Sequence, residues 1–349
     1  MNTKRSRPVR ALVSVLEGTQ VWPPPIWLMR QAGRYLPEYR ELRKSAGSFW
    51  KMCMSPDLAT EITLQPIRRF DFDAAIIFSD ILVIPYALGQ PVRFEEGVGP
   101  ILDRYPGLER LGTDSGVWKQ RLSPVYQTLE QTRKALTVDK ALIGFAGAPW
   151  TLAAYMLEGR GSPDQRAAKL FGYSDSQEFS RLLYRLADAV ASHLVWQLEH
   201  GADAVQLFDS WAGGLPDHEF AEWVIGPTRE IVAAVRDAVP DARIIGFPRA
   251  VTQSQYRLYA SETGVNCIGI DTATSLSWAI SQFGMNIAVQ GNLDPIALIA
   301  GGEALDRAIE KILGVARGHS VIFNLGHGVL PETPVDHVAR VVERVRGSA

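Results

Sequence analysis

Eight short apolar segments recur down the chain, each separated from the next by a longer segment of helical period, and this alternation constrains the fold more than any other feature. They run Ile26–Met29, Ala74–Phe78, Leu142–Phe145, Ala204–Phe208, Arg243–Phe247, Cys267–Ile270, Ile287–Gln290 and Val321–Asn324. Apolar runs of this length, joined by crossovers long enough to be helices, predict a parallel sheet covered on its faces. Eight of them predict closure, so the expected fold is α/β: a single-domain (β/α)8 TIM-type barrel. At 349 residues the chain fits one such unit, and no Ser/Gly linker or low-complexity segment divides it. One domain is expected over 1–349, with the basic stretch 1–10 as a flexible tail.

Within that frame Ser55 and Asp57 are candidate caps for a helix running to Phe70. Ser174 or Ser176 is expected to start a long helix that stops at Glu199-His200-Gly201. The connector from Gln90 to Gly116 carries Pro91, Pro100 and Pro106 and is longer than an ordinary loop. It reads either as a lid or as a surface excursion without a role.

A barrel of this kind places its chemistry at the carboxyl ends of the strands. Those ends supply Arg30 and Arg34, then Ser79 and Asp80, then Ala146 to Trp150. Asp209 and Ser210, Pro248 and Arg249, Asp271, Asn292 and Asp294, and His327 follow. The stretch Pro25 to Arg43 is the most distinctive of these, because an apolar run breaks directly into arginines at 30, 34, 40 and 43. Gln31, Ala32 and Gly33 form a tight bend between the first two, which suits a guanidinium pair aimed at carboxylate or phosphate. Arg40 and Arg43 read as helix-surface residues paired with Glu38 and Glu41.

The net charge of −2 excludes a surface built for nucleic acid or anionic membrane, so any anion site is local. No apolar run approaches the roughly 18 residues of a membrane helix, and Cys53 and Cys267 stand far apart without a CxxC neighbour. A reducing, cytoplasmic setting is expected. Schiff-base chemistry is disfavoured because Lys140 precedes its strand and falls at the wrong end. The six histidines form no His-x-His or His-x-Cys pair, and neither a GxxxxGK[ST] nor a GxGxxG motif occurs. What remains is a pocket with cations, a carboxylate, a tyrosine and a histidine. Asp80 reads either as a cap for its own turn or as an acceptor for a ligand's N–H groups. Tyr155 by periodicity is a core aromatic, and Ser210 and His327 are hydrogen-bonded structural residues unless a ligand engages them.

The segments MRQAGRYLPEYR at 29–40, DAAIIFSDIL at 73–82, GFAGAPWTLAAYMLEG at 144–159 and NLGHGVLPETP at 324–334 closely resemble the uroporphyrinogen decarboxylase family of haem biosynthesis. The resemblance implies a homodimer that works without metal or organic cofactor. It implies removal of CO2 from the four acetate side chains of uroporphyrinogen III, leaving methyl groups and giving coproporphyrinogen III. By the same resemblance Arg30 and Arg34, with Gln31, Ala32 and Gly33 between them, bind substrate carboxylates. Asp80 accepts hydrogen bonds from the pyrrole N–H groups, Tyr155, Ser210 and His327 are further contacts, and Phe78, Phe145 and Phe208 form an apolar wall. Asp80, Arg30 and Tyr155 carry the expected catalysis. A zinc-dependent methyltransferase on the same fold and a non-catalytic porphyrin carrier are the competing readings; the first needs a thiolate and histidine set that Cys53 and Cys267 do not suggest.

Overall fold

The computed structural model describes residues 10–95, 97–284 and 286–348. The tail expected over 1–10 lies outside them except for Arg10, which donates to Val138 O (3.1 Å) and pairs with Asp203 (2.5 Å).

In chain order the strands are β1 (Ala74–Ile76), β2 (Val92–Glu95), β3 (Gly99–Leu102), β4 (Ala141–Gly147), β5 (Ala204–Asp209), β6 (Ile244–Pro248), β7 (Cys267–Gly269), β8 (Ala288–Leu293) and β9 (Val321–Leu325). β1 and β4 to β9 form one parallel sheet in sequence order, and β2 with β3 forms a separate antiparallel hairpin. The eighth stave corrects the sequence expectation. Ile26–Met29 is not a strand; only Ile26 bridges, to Phe323 of β9. On its other side Ile26 O accepts the Asp73 N–H (2.9 Å), while the Asp73 carboxylate accepts the Ile26 N–H (2.8 Å). The Asn324 side chain likewise accepts the Met29 N–H (2.9 Å). Side chains replace a ladder here because the backbone must turn at once, with Arg30 at φ 59° and the Gln31 N–H folding back to Leu28 O.

Helices cover the outside of the ring, among them Pro56–Phe70, Ser115–Ala135, Ser176–Glu199, Gly226–Ala238 and Gly302–Ala316. Ser55 precedes the first without a side-chain cap bond. The helix Ser176–Glu199 is capped by Asp175, whose carboxylate accepts the Glu178 N–H (3.0 Å), and not by either serine. A carboxylate reaches the third N–H as well as a hydroxyl does, and its charge also favours the helix dipole.

Inside the ring the inward residues stack in layers. The lowest layer is small, Ala74, Ala141, Ala204, Cys267 and Ala288, and the room it leaves is filled from below by Leu12, Val15 and Leu16 of the helix Ala11–Leu16. The middle layer combines Ile143, Ile245 and Ile322 with a polar wire: Trp27 Nε1 donates to Gln290 Oε1 (2.9 Å) and Gln290 Nε2 to Gln206 Oε1 (3.1 Å). Above it lie Met29 and the rings of Phe208 and Phe247.

One seam of the ring opens upward. β1 pairs with β4 only as far as Ile76↔Ile143, with one more bond from the Ile77 N–H to Ile143 O. Beyond it the side-chain amide of Gln197, on the helix Ser176–Glu199, accepts the Phe145 N–H and donates to Phe145 O, both at 2.9 Å. An amide reproduces both bonds of a missing strand residue. Gly144 makes room, since a Cβ there would lie 2.5 Å from Gln197 Oε1.

The Gln90–Gly116 excursion contains the β2–β3 hairpin and is tied down. Gln90 Nε2 donates to Asp103 O (2.7 Å) and Met156 O (3.0 Å), and the Leu102 N–H to Gly159 O (2.8 Å). Phe94 of β2 meets Phe49 at 4.7 Å between ring centroids.

Candidate functional site

The upper mouth of the ring collects the polar strand ends. Arg30 leaves the first turn exposed, and its side chain lies directly over Gly328, where an added Cβ would sit 2.7 Å from Arg30 Cγ. Gln31 is fully buried and its side chain is spent on the scaffold: Oε1 accepts the Leu28 N–H (3.1 Å), Nε2 donates to Ala74 O (3.1 Å), and its own carbonyl accepts from Tyr35 Oη (2.7 Å). Its N–H folds back to Leu28 O, so its backbone polar groups are bonded within the chain as well. Ala32 and Gly33 are half-buried and Arg34 is exposed.

The expectation for the later arginines needs correction. Arg40 donates to Arg34 O (2.9 Å) and Tyr35 O (3.0 Å), so it braces the loop instead of pairing with an acid. Glu38 is taken by Arg69 (2.7 Å) from the helix Pro56–Phe70, and Glu41 by Lys44 (2.7 Å). Cross-element reach claimed Glu38, while Glu41 went to its i, i+3 neighbour on the same helix.

Asp80 stands half-buried after β1, where Oδ1 accepts the Leu82 N–H (2.8 Å). Burial is the largest influence and pushes its carboxyl up to about 6, against the Leu82 N–H and the Arg30 charge, which pull it down. Through Oδ1 it caps its own turn, the first of its two sequence readings. Tyr155 is half-buried on the helix Pro149–Glu158, its ring 5.9 Å from that of Trp211. Burial and the neighbouring Asp80 charge raise its phenol above the usual range, so it stays protonated. His327 follows β9 and is pushed down to about 4 by burial first, then by the charges of Arg249 and Arg30. At neutral pH its imidazole is uncharged.

Phe145 and Phe208 meet edge to face at 5.6 Å, and Phe208 meets Phe247 at 6.1 Å. These three rings line one wall. Phe78 lies on another, against Tyr39 at 5.9 Å and Phe49 at 5.6 Å. Ser210 follows Phe208 on the inward alternation and is half-buried. Its neighbours are fixed from outside: the Trp211 N–H donates to Thr151 Oγ1 (3.1 Å), and Thr151 donates in turn to Asp209.

Sequence reasoning missed Phe247 and Gly328. Phe208 came from the family resemblance, and the period-2 alternation that turns it inward turns Phe247 inward too; Gly328 lay inside a quoted motif but was not singled out, because its importance is a contact with a residue far away in sequence. Lys140 lies at the opposite end, bound to Asp71 (2.5 Å), as expected from its position before β4. Among the described residues no three of His, Cys, Asp and Glu gather as a metal ion would need, and Cys53 and Cys267 are free thiols, each buried. No helix among them is long and apolar enough to cross a membrane.

Residues 8–348 match the family described as uroporphyrinogen decarboxylase (URO-D). A uroporphyrinogen decarboxylase from Chelativorans sp. (strain BNC1) is 53% identical over 337 residues, covering 97% of this chain and 98% of the relative. One from Mesorhizobium japonicum is 51% identical over 340 residues with the same coverage of 97% and 98%. A solved methyltransferase from Methanosarcina mazei has a TM-score of 0.79 over 97% of this chain and 98% of its own, at 15% identity, a likeness of fold alone.

Proposed function

The chain belongs to the uroporphyrinogen decarboxylase family, and from that premise we propose a division of labour among the residues of the barrel mouth. It is a carboxy-lyase acting in tetrapyrrole biosynthesis. In our reading the whole of 1–349 is one barrel domain, the substrate is uroporphyrinogen III, and its four acetates become methyls with release of four CO2.

Loss of CO2 from a simple acetate leaves a carbanion with nowhere to place its electrons. The tetrapyrrole itself supplies the sink. Protonation of a pyrrole at carbon gives a cationic ring, and the electrons of the breaking C–C bond flow into it. Protonation of the exocyclic carbon then makes the methyl, and loss of the ring proton restores the pyrrole. Each CO2 thus consumes one proton.

Asp80 is the catalytic anion of this scheme. Its free oxygen accepts pyrrole N–H bonds, and its charge stabilises the cationic ring in a mouth walled by Phe78, Phe145 and Phe208. Arg30 and Arg34 hold carboxylates of the substrate at the rim, with the Gln31-Ala32-Gly33 backbone between them. Arg30 is a poor proton donor, because a guanidinium keeps its proton, so its catalytic part is to orient the reacting acetate. Tyr155 stays a phenol beside Asp80 and Arg30 and is the O–H nearest the chemistry; Ser210 and neutral His327 add hydrogen bonds. The observation that carries this reading is convergence: the Arg30 charge acts on Asp80, Tyr155 and His327, which come from three separate stretches of chain. We place the enzyme in the cytoplasm as a homodimer. The two free thiols support the first, and the resemblance supports the second, which sedimentation tests.

The test is anaerobic incubation with uroporphyrinogen and chromatography of the products. Seven- to four-carboxyl species in succession are expected; bound but unchanged substrate would favour a carrier. Asp80→Ala should lower kcat on the order of 100-fold, as for loss of one preorganised group, with little change in melting temperature. Wild-type turnover in that variant would remove Asp80 from the mechanism.

A further inference from the structure

Arg30 and Arg34 grip from one arc of the mouth, and an acid-fringed macrocycle leaves its other edge unheld. Around the ring the Ile26 stave is followed by β1, β4, β5 and β6, which puts β6 four steps away in a ring of eight, on the opposite side. On β6 Ile245 and Phe247 face the interior, so by alternation the next inward position is Arg249.

The backbone there is fixed from both sides. The Arg249 N–H donates to Asp209 O (3.1 Å), extending the β5–β6 ladder. Ala250 then turns into the left-handed region at φ 62°, and its N–H donates to the Asp271 carboxylate (2.7 Å). Asp271 also accepts the Ala273 N–H (2.9 Å), the Thr274 N–H (3.1 Å) and the Thr274 hydroxyl (3.1 Å), so its own position is set. Gly213 closes over the turn; a Cβ on it would lie 2.5 Å from Ala250 O.

Against this rigid backbone the half-buried Arg249 guanidinium makes no hydrogen bond or ion pair among the described residues. A guanidinium drawn out of water above a phenylalanine wall is costly until an anion meets it. Its charge also reaches His327, as the Arg30 charge does.

We propose that Arg249 is a substrate-carboxylate ligand on the far rim, opposing Arg30 and Arg34 so that the tetrapyrrole is held across its diameter. Asp271 is the positioning residue that aims it through Ala250. This rests on the decarboxylase reading of the same mouth. It makes the site selective for a ligand with acidic groups on opposite edges over one with acids on a single edge.

The experiment is steady-state decarboxylation of uroporphyrinogen by the full chain, its Arg249→Gln and Arg249→Lys variants, and Asp271→Asn. Loss of one charged hydrogen-bonded contact predicts a KM raised about 10-fold in Arg249→Gln, with kcat within about twofold. Arg249→Lys should recover part of the affinity, because it keeps the charge without the fork. Asp271→Asn should raise KM in the wild-type background and add little in Arg249→Gln. A KM for Arg249→Gln within about twofold of wild type, in an enzyme that does convert uroporphyrinogen, overturns the role of Arg249 alone. Wild type that leaves uroporphyrinogen untouched overturns the reading of the mouth, and this proposal with it. Arg249 has no intramolecular side-chain bond to lose and its desolvated charge is a cost, so the melting temperature of Arg249→Gln should equal or exceed that of wild type; if Gln nonetheless unfolds the chain, the Lys variant decides by the same KM criterion.

Discussion

Arg30 is aimed by two features of the backbone and not by a partner side chain. It occupies the left-handed region at φ 59°, and its aliphatic stem crosses the bare Cα of Gly328. A methyl at 328 overlaps that stem, and an exposed arginine yields more readily than a loop does. Gly328→Ala should therefore swing Arg30 off the mouth, lowering kcat/KM by about 10-fold while the melting temperature moves little; a large loss of stability with normal kinetics would show that the clash is absorbed elsewhere. The residue scale also shows what a sequence reveals. The places of Asp80, Ser210 and His327 just beyond strand ends were legible, and Tyr155 lay in a quoted motif; their part in the chemistry belongs to the proposal above. The inward commitment of Gln31 was not legible, because nothing local distinguishes an amide that meets substrate from one that stitches Leu28 to Ala74.

Among the elements, the seam between β1 and β4 depends on one side chain. Gln197 gives Phe145 both the acceptor and the donor that β1 stops supplying after Ile77. Gln197→Ala strands a part-buried N–H and a part-buried carbonyl, at up to about 1–3 kcal/mol each. A lower urea midpoint is expected, together with weakened activity, since the Phe145 ring is part of the wall against Phe208; an unshifted midpoint would mean that water replaces the amide at no cost. The strands were readable because apolar runs report burial. Ile26–Met29 was misread for the same reason: Trp27 and Met29 are apolar because they fill the barrel, while their backbone is held by the side chains of Asp73 and Asn324 on either side. Hydrophobicity encodes what a residue touches, not which hydrogen bonds its backbone makes.

For the whole molecule, two pairs of groups shifted by burial pull the acid stability in opposite directions. His193 is pushed down to about 3 and His327 to about 4, so below pH 6.5 the unfolded chain binds their protons first and stability falls as pH drops. Asp80 and Asp209 are pushed up to about 6 and about 7, so the folded chain takes up their protons first, and stability rises as pH falls from that range toward 3.8. Between about pH 4 and 6.5 the two effects offset. Asp80→Asn removes one side of the balance: its melting temperature should climb more steeply with pH over that window than the wild-type value, and parallel curves would argue that Asp80 is solvated in the folded state. The ring that houses these groups is stoppered at its lower end, where Leu12, Val15 and Leu16 sit under the alanine layer. A vessel with one doorway imposes traffic rules. Each molecule of carbon dioxide has to slip out past the tetrapyrrole that produced it, and a ring relieved of one carboxyl presents the next only by turning where it lies or by backing out and re-entering.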